Sequence, residues 1–291
     1  MLKLVIPKGS LEQQTLALLA AADLPVRRGS DRDYHGLIDD DRIDRVSLLR
    51  PQEIPLYVQD GFFDLGITGR DWVTETGADV TELASLAYAK SGAGVVRIVL
   101  AAPASAPYDT AAEMPEGVRI STEYPEITKR HFESLGIKAR IYESYGATEA
   151  KVPDIVDAIV DVTETGNTLR AHGMKILDTL LESEVLLIAN RDAAADPDRR
   201  QAMSDLTTLL LGALAAQGRV LLKLNVSEER LREVLDFLPS MKAPTVSPLA
   251  DEGAYAIESV VEKGTVNRLI PTLKSHGATD ILELPISKIV P

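Results

Sequence analysis

The stretch from Asp157 to Leu169, DAIVDVTETGNTL, constrains the chain more than any other. Ala158 to Val162 is a short, apolar, partly β-branched run with one carboxylate, Asp161, near its end, and it reads as a buried strand. Thr163, Thr165, Gly166, Asn167 and Thr168 follow, small polar residues around one glycine. Leu169, Arg170 and Ala171 then give helix signals, with Gly173 as a stop. A strand that empties into a Thr/Gly turn and a helix presents several backbone N–H groups at the positive end of a helix dipole, and threonine hydroxyls add donors. Such a turn suits a phosphate monoester. It is also an ordinary strand-to-helix connection, and spacing alone leaves both readings open.

The same unit recurs. Leu2 to Pro7 reads as a strand, and Lys8-Gly9-Ser10 turns into a helix beginning at Leu11, with Ser10 as N-cap and Gln13 completing a capping box. Lys8 sits at the carboxyl end of a strand, where open α/β sheets place ligands. Leu24 to Asp44 is irregular and rich in Arg and Asp, with room for an antiparallel pair. Val46 to Arg50 reads as a strand, Pro51 to Val58 as a helix start, Asp64 to Thr68 as a strand, Gly69 as a turn and Asp71 as a first-turn helix acid. Three loops of one kind, Lys8-Gly9, Thr68-Gly69 and Thr163 to Thr168, are thus expected to converge on one edge. Tyr88 to Gly94 is made of small residues and reads as a crossing between domains. Val95–Ala101, Val118–Thr122, Ala139–Glu143 and Val185–Ala189 read as strands, and Pro125–Leu135 as a helix stopped by Gly136. The alternation implies an α/β protein with largely parallel sheets.

After a helix from Met203 to Gly218 the character changes. Val220–Val226, Glu228–Leu238, Thr245–Leu249, Ala254–Glu262, Val266–His276 and Asp280–Ile289 spell βαββαβ, a ferredoxin-like module. Pro271 is expected near a first turn or at a kink. A module of this size behind a cleft-bearing body reads as regulatory or oligomerising.

A length of 291 residues suits two or three domains. The net charge of −13 argues against a nucleic-acid or anionic-membrane surface, but not against a small polyanion held in a cleft. With no cysteine, disulfides, thiolate metal sites and thiol nucleophiles are excluded, and a reducing cytosol is the natural setting. The start lacks the features of a secretory signal, and no window reaches membrane-spanning length, so a cytoplasmic location is expected. No Ser/His/Asp set stands out, and His131 and His172 are expected on helix surfaces.

Taken together, DAIVDVTETGNTL, GATEA (Gly146 to Ala150), PKGSL, DLGITGRD, LRPQEIPLYV and KAPTVSPL resemble the ATP phosphoribosyltransferase family, in the long form that carries its own regulatory domain. The resemblance spans essentially the whole chain in order. It implies two α/β domains arranged like a periplasmic binding protein, residues 1–92 with 183–214 and residues 93–182, and an ACT-like domain at 215–291. It implies transfer of the phosphoribosyl group of phosphoribosyl pyrophosphate to N1 of the adenine of ATP, Mg²⁺ carried on substrate phosphates, histidine as feedback inhibitor, and a hexamer in equilibrium with active dimers. Carried over residue by residue, Asp161, Thr163, Thr165, Gly166, Asn167 and Thr168 would hold phosphoribosyl pyrophosphate, with Glu149 facing the same cleft. Lys8, Gly9, Arg50, Asp64, Thr68 and Gly69 are candidates for ATP or pyrophosphate, and Asn225, Met241, Thr245, Val260 and Asp280 for histidine. Lys8, Glu149 and Asp161 would act by positioning, since N1 already carries a lone pair and no acid or base is assigned. Two departures stand out: Ser10 replaces the arginine of the usual PKGRL, and Lys151 replaces the proline after Glu149-Ala150. A type I phosphoribosyltransferase would carry two adjacent acids before the Thr-Gly turn, where this chain has Val160 and Asp161. A solute-binding receptor would share the cleft without turnover.

Overall fold

The computed structural model describes residues 1–86, 88, 94–241 and 243–290, so most of the expected crossing at Tyr88 to Gly94 lies outside the described residues. The chain divides into two compact units, Met1–Thr207 and Thr208–Pro291.

The first unit begins with β1 (Leu2–Pro7), α1 (Glu12–Ala21), β2 (His35–Gly36), β3 (Ile43–Leu49), α2 (Ile54–Gln59), β4 (Leu65–Gly69), α3 (Arg70–Thr76) and β5 (Thr81–Ser85). It continues with β6 (Val95–Pro103), β7 (Arg119–Thr122), α4 (Pro125–Ser134), β8 (Arg140–Glu143), β9 (Ala158–Thr163), α5 (Asn167–Ala171), β10 (Met174–Ala189) and α6 (Arg191–Ala195). The strands lie in the order β2-β3-β1-β4-β10-β6-β9-β7-β8, with β5 also paired to β10. β1 runs parallel to β3 and β4, and β7 parallel to β8 and β9. The centre is antiparallel: β10 opposes β4, β5 and β6, and β6 opposes β9.

The sheets are therefore mixed, a correction to the largely parallel arrangement expected from alternation. The cause is β10, a single strand of 16 residues. Residues 174–184 pair with β6, and residues 185–189 pair with β4 and, in part, β5. Sequence pattern singles out only its last five residues, because Asp178, Glu182 and Glu184 break up the apolar run before them.

Helix starts are set by tertiary partners more than by local caps. Ser10 does not cap α1: Leu11 occupies the N-cap position without a side-chain cap, and the Glu12 carboxylate instead accepts from the Gly9 N–H at 3.3 Å. The capping box expected of Ser10 and Gln13 is thus replaced by one residue's reach back across the turn. α4 is capped from outside its own neighbourhood, with Glu75 of α3 accepting the N–H groups of Glu126 (2.8 Å) and Ile127 (2.9 Å). Asn190 caps α6 at Ala193 and donates to the carbonyls of Val58 and Gln59, tying α6 to the end of α2.

Helix α7 (Pro197–Ala216) carries the chain into the second unit. There β11 (Arg219–Ser227), α8 (Glu228–Phe237), β12 (Thr245–Pro248), β13 (Ala254–Glu262), α9 (Lys263–Ser275) and β14 (Thr279–Pro285) form a four-stranded sheet in the order β12-β13-β11-β14. The expected βαββαβ order is present, and all its described pairings are antiparallel. Along β11, Val220, Leu222, Leu224 and Val226 are buried while their neighbours are half-buried, the period-two signature of a one-sided sheet. Pro271 lies inside α9, so the first-turn alternative falls away and the Asn267 carbonyl receives no N–H from residue 271.

Phe132 of α4 is fully buried among Ile98, Leu100, Ile120 and Val160. Phe132→Ala is expected to cost about 3–5 kcal/mol, read as a lowered denaturant midpoint with an unchanged slope.

Candidate functional site

A cleft of about 540 Å³ opens in the first unit, lined from both halves of the sheet. Its walls include Ser10 and Leu11 from the first loop, Gly69 from the second and Thr163, Thr165 and Thr168 from the third. The residues just after the first loop, the glycine of the second and the third loop thus share one cleft, while Lys8, Gly9 and Thr68 stand outside its lining. Six carboxylates also line it, Asp71, Glu123, Glu149, Asp161, Glu164 and Glu184, and among the described residues no lysine or arginine does.

The Thr/Gly turn is partly satisfied by itself. The Thr163 hydroxyl accepts from the Gly166 N–H at 2.9 Å, and the Thr165 hydroxyl takes the Asn167 N–H at 3.4 Å. The Arg170 guanidinium donates to the Thr165 carbonyl (3.1 Å) and to the Asn167 side chain. The N–H groups of Thr165 and Thr168 find no acceptor among the described residues, and both side chains are exposed. Free donors in this turn are therefore the amides and hydroxyls of Thr165 and Thr168. Gly166 and Asn167 belong to the turn but not to the cleft lining; the Gly166 N–H is taken by Thr163, and the Asn167 N–H and side-chain oxygen meet Thr165 and Arg170. Gly166 has φ +76°, and a Cβ there would stand 3.1 Å from Ile176 Cδ1, so the turn needs glycine twice over.

Asp161 lines the same cleft as these donors, half-buried, with the Val162 N–H on one oxygen at 2.7 Å. Burial pushes its pKa up to about 6, with Glu123 and Glu149 adding like charge. Burial also raises Glu123, and the Lys151 charge pulls it back. Lys151, at the position where proline is usual, donates to Ser144 (2.6 Å) and Ser121 (3.2 Å), bracing the segment that presents Glu149.

The opposite wall is built around Asp71. Tyr124 and Ser183 each donate a hydroxyl to its carboxylate at 2.8 Å, and Ser183 accepts the Asp71 N–H at 3.0 Å. Tyr124 stacks on Trp72 with ring centroids 4.6 Å apart. Tyr88, buried, shares a 2.6 Å hydrogen bond with Thr15. Sequence reasoning noted Asp71 only as a first-turn acid and passed over Trp72, Glu123, Tyr124 and Ser183. They come from three separate places, α3, the turn before α4 and β10, and only the fold brings them together.

Several expected contacts stand elsewhere. Asp64 is corrected from a phosphate-site candidate to a strut: its oxygens accept from the Lys3 N–H (2.8 Å) and from Arg199 (2.9 Å), outside the cleft lining. Thr68 is buried and donates to the Pro51 carbonyl at 2.8 Å. Gly69 does reach the cleft, but a Cβ on it would lie 1.9 Å from Asp71 Oδ1, so this loop is covered by a carboxylate and is a poor seat for phosphate. Lys8 and Arg50 do not line the cleft. Lys8 sits over the Tyr34 ring at 4.3 Å, and Arg50 packs against Gly9, whose φ of +105° only glycine adopts readily. His131 pairs with Asp178 at 3.2 Å, and His172 bonds the Thr168 carbonyl at 2.9 Å; neither lines the cleft.

In the second unit the five residues proposed for histidine do not share one cavity. Met241 and Val260 line a hollow of about 740 Å³. Asn225 donates to Asp280 at 3.0 Å at the other end of β11, and Thr245 stands opposite Glu258 on the edge strand. Val260 pairs with Leu221, four residues along β11 from Asn225, roughly 13 Å at strand rise, which separates the groups.

Comparison with known proteins is consistent along the whole length. The family profile described as ATP phosphoribosyltransferase (HisG) matches residues 50–212, and that of the HisG C-terminal domain matches residues 216–288. An ATP phosphoribosyltransferase of Thermodesulfovibrio yellowstonii is 44% identical over 290 residues, covering 100% of this chain and 98% of the relative. One of Chlorobium luteolum is 45% identical over 289 residues, covering 99% and 97%. Among solved structures, the ATP phosphoribosyl transferase (HisG:HisZ) complex from Thermotoga maritima superposes with TM-score 0.60 and 28% identity, covering 72% of this chain and 96% of that one.

The raised Asp161 pKa has a definite sign. A carboxyl with a folded pKa above its unfolded value favours the folded state at low pH, and that contribution is lost as pH rises through about 6. Asp161→Asn is therefore expected to be more stable than the parent at pH 8, by on the order of 2 kcal/mol. The difference should shrink towards zero as pH falls from about 6 to 4, followed by urea denaturation across that range.

Proposed function

The chain belongs to the ATP phosphoribosyltransferase family, and on that premise we propose that the cleft of its first unit holds both substrates and aligns them for transfer. The reaction joins C1 of the ribose of phosphoribosyl pyrophosphate to N1 of the adenine of ATP and releases pyrophosphate, the first step of histidine biosynthesis. The observation that carries the site assignment is the pair of free donor sets on Thr165 and Thr168 facing the same cleft as Asp161. The 5′-phosphate sits on those amides and hydroxyls. Asp161 accepts from the ribose hydroxyls, and Glu149 lines the same space.

Adenine N1 carries its own lone pair, so the chain need not create the nucleophile. Holding N1 in line with C1 supplies the alignment part of the barrier, up to about 7–11 kcal/mol. As the bond to pyrophosphate lengthens, positive charge grows on the sugar, and Asp161, Glu123 and Glu149 are placed to stabilise it. The leaving pyrophosphate needs the opposite sign. Among the described residues no group of three His, Asp or Glu side chains forms a cage for a metal ion. Hard carboxylate oxygens crowded around Asp161 nonetheless fit Mg²⁺ that arrives on substrate oxygens and keeps its waters, with Asp161 and Glu149 the protein groups nearest in character. When bound, the ion supplies charge neutralisation for the departing group.

The second unit is read as the regulatory module, with histidine as inhibitor and a hexamer in equilibrium with active dimers. The ferredoxin-like order and the match to the family's C-terminal domain support that reading. Among the described residues no helix is long and apolar enough to cross a membrane, which accords with a cytoplasmic setting.

Incubation with ATP, phosphoribosyl pyrophosphate and Mg²⁺ should yield N1-substituted phosphoribosyl-ATP, followed by ultraviolet absorbance; binding without turnover would favour a receptor. Thr168→Val is expected to raise KM for phosphoribosyl pyrophosphate by about tenfold, the loss of one charge-assisted hydrogen bond, with the fold intact by circular dichroism. An unchanged KM would remove the phosphate assignment. Truncation after Gly218 is expected to abolish inhibition by histidine, tested by adding histidine to the same assay.

A further inference from the structure

The acid cleft has a counterpart of opposite sign in the same unit. Beside β2 and β3 a hollow of about 470 Å³ is lined by Arg27, Arg28, His35 and Arg45, together with small or apolar neighbours. Among the described residues no carboxylate enters that lining, and it shares no residue with the cleft. On a chain of net charge −13, three guanidiniums and an imidazole around one hollow reverse the local field. Two of the arginines are held in part by acids outside the hollow. Arg28, its side chain 10% exposed, meets Glu12 at 2.9 Å. Arg27 meets Asp39 at 3.2 Å in open solvent, where an ion pair counts for little. Arg45 is exposed, and no acid pairs with it among the described residues. The chain also makes room for this arrangement. A Cβ on Gly36 would stand 2.5 Å from Val26 Cγ1 and 3.2 Å from Cγ of Arg28, so glycine here lets the Arg28 stem lie against β2.

Guanidinium forks match the oxygens of carboxylate and phosphate. A single carboxylate would occupy one fork. Three forks and an imidazole suit a ligand that spreads several charges along a short chain of oxygens, and the hollow is of ordinary small-ligand size. Arg28 also connects the hollow to the cleft. Its partner Glu12 accepts the Gly9 N–H at 3.3 Å, and the next two residues, Ser10 and Leu11, line the cleft. A second acceptor on Arg28 competes with Glu12 for the guanidinium and so reaches the first loop. We propose that the hollow is a polyphosphate site separate from the cleft, taking a di- or triphosphate chain, free or on a nucleotide, and that Arg28 passes its occupancy to the first loop. The link to turnover rests on the reading that the cleft is catalytic, whereas the binding stands apart from it.

Inorganic tripolyphosphate is the probe, titrated into the full chain by calorimetry at fixed ionic strength. Arg45→Ala is expected to weaken its binding by roughly tenfold, and the double variant Arg27→Ala with Arg45→Ala by roughly 100-fold, one charge-assisted hydrogen bond each. Both side chains are exposed, so melting temperatures and KM for both substrates should match the parent's. Arg191→Ala removes the same charge elsewhere on the unit. An equal loss there means attraction to positive charge at large and overturns the site, as does unaltered binding in the double variant. Pyrophosphate and ATP, titrated in the same way, separate the two sources: the occupant is the one that loses a binding event in the double variant, and a loss for neither overturns the proposal. In the transfer assay tripolyphosphate should inhibit the parent with a non-competitive part that the double variant lacks. Purely competitive inhibition of the parent overturns the link through Arg28. Absence of turnover by the parent overturns the cleft reading, while the titration still decides the site.

Discussion

One strand holds the first unit together. β10 leaves its pairing with β6 at Ser183 and Glu184 and takes up β4 at Val185, and the residues at that change of partner line the cleft. A sheet that passes between two layers on one strand cannot offer a loop there, so the cleft floor is hydrogen-bonded backbone. The consequence is pre-organisation. Ser183 reaches Asp71 from a rigid strand, and Arg70 reaches Glu184 at 2.8 Å and Glu82 at 2.9 Å across the same junction. The Arg70 pairs are partly exposed, and Glu184 is held below the usual carboxylate range by Ser85 and Arg70.

The charge of the chain takes on meaning at this site. A net charge of −13 looks unsuited to two polyanionic substrates, and the cleft concentrates that sign. The reacting sugar, however, becomes cationic as its leaving group departs, and crowded carboxylates favour that charge. Asp161 shows the cost: burial and its acidic neighbours keep it near a pKa of about 6. A wall tuned for developing positive charge has to leave the phosphates to backbone amides, hydroxyls and the cation that accompanies them.

Much of this was legible before any coordinates. The strand–turn–helix at Asp157 to Leu169, the approach of three loops to one cleft and the βαββαβ order all rest on local pattern, and local pattern survives into the fold. What was not legible depends on partners distant in sequence. Ser10 looked like a cap because nothing in the chain says that Glu12 will fold back on Gly9. Asp64 looked like a site acid until Arg199, 135 positions away, claimed it. Gly69 looked like a phosphate turn, whereas its missing side chain makes room for Asp71. In the second unit, Asn225 and Val260 were grouped by resemblance, while strand register holds them apart.

The cap that Glu75 places on α4 bears on how the first unit comes into being. The opening turn of that helix has no side-chain cap at Tyr124, and its leading amides are met by a residue of α3 some fifty positions earlier. Arg130 adds a bond back to the Thr74 carbonyl. A fragment holding β6 to β9 alone would start α4 with bare amides and an unsupported Tyr124 ring. These bonds couple the start of α4 to α3, so that helix cannot fray from its first turn without also releasing its hold on the other half of the sheet.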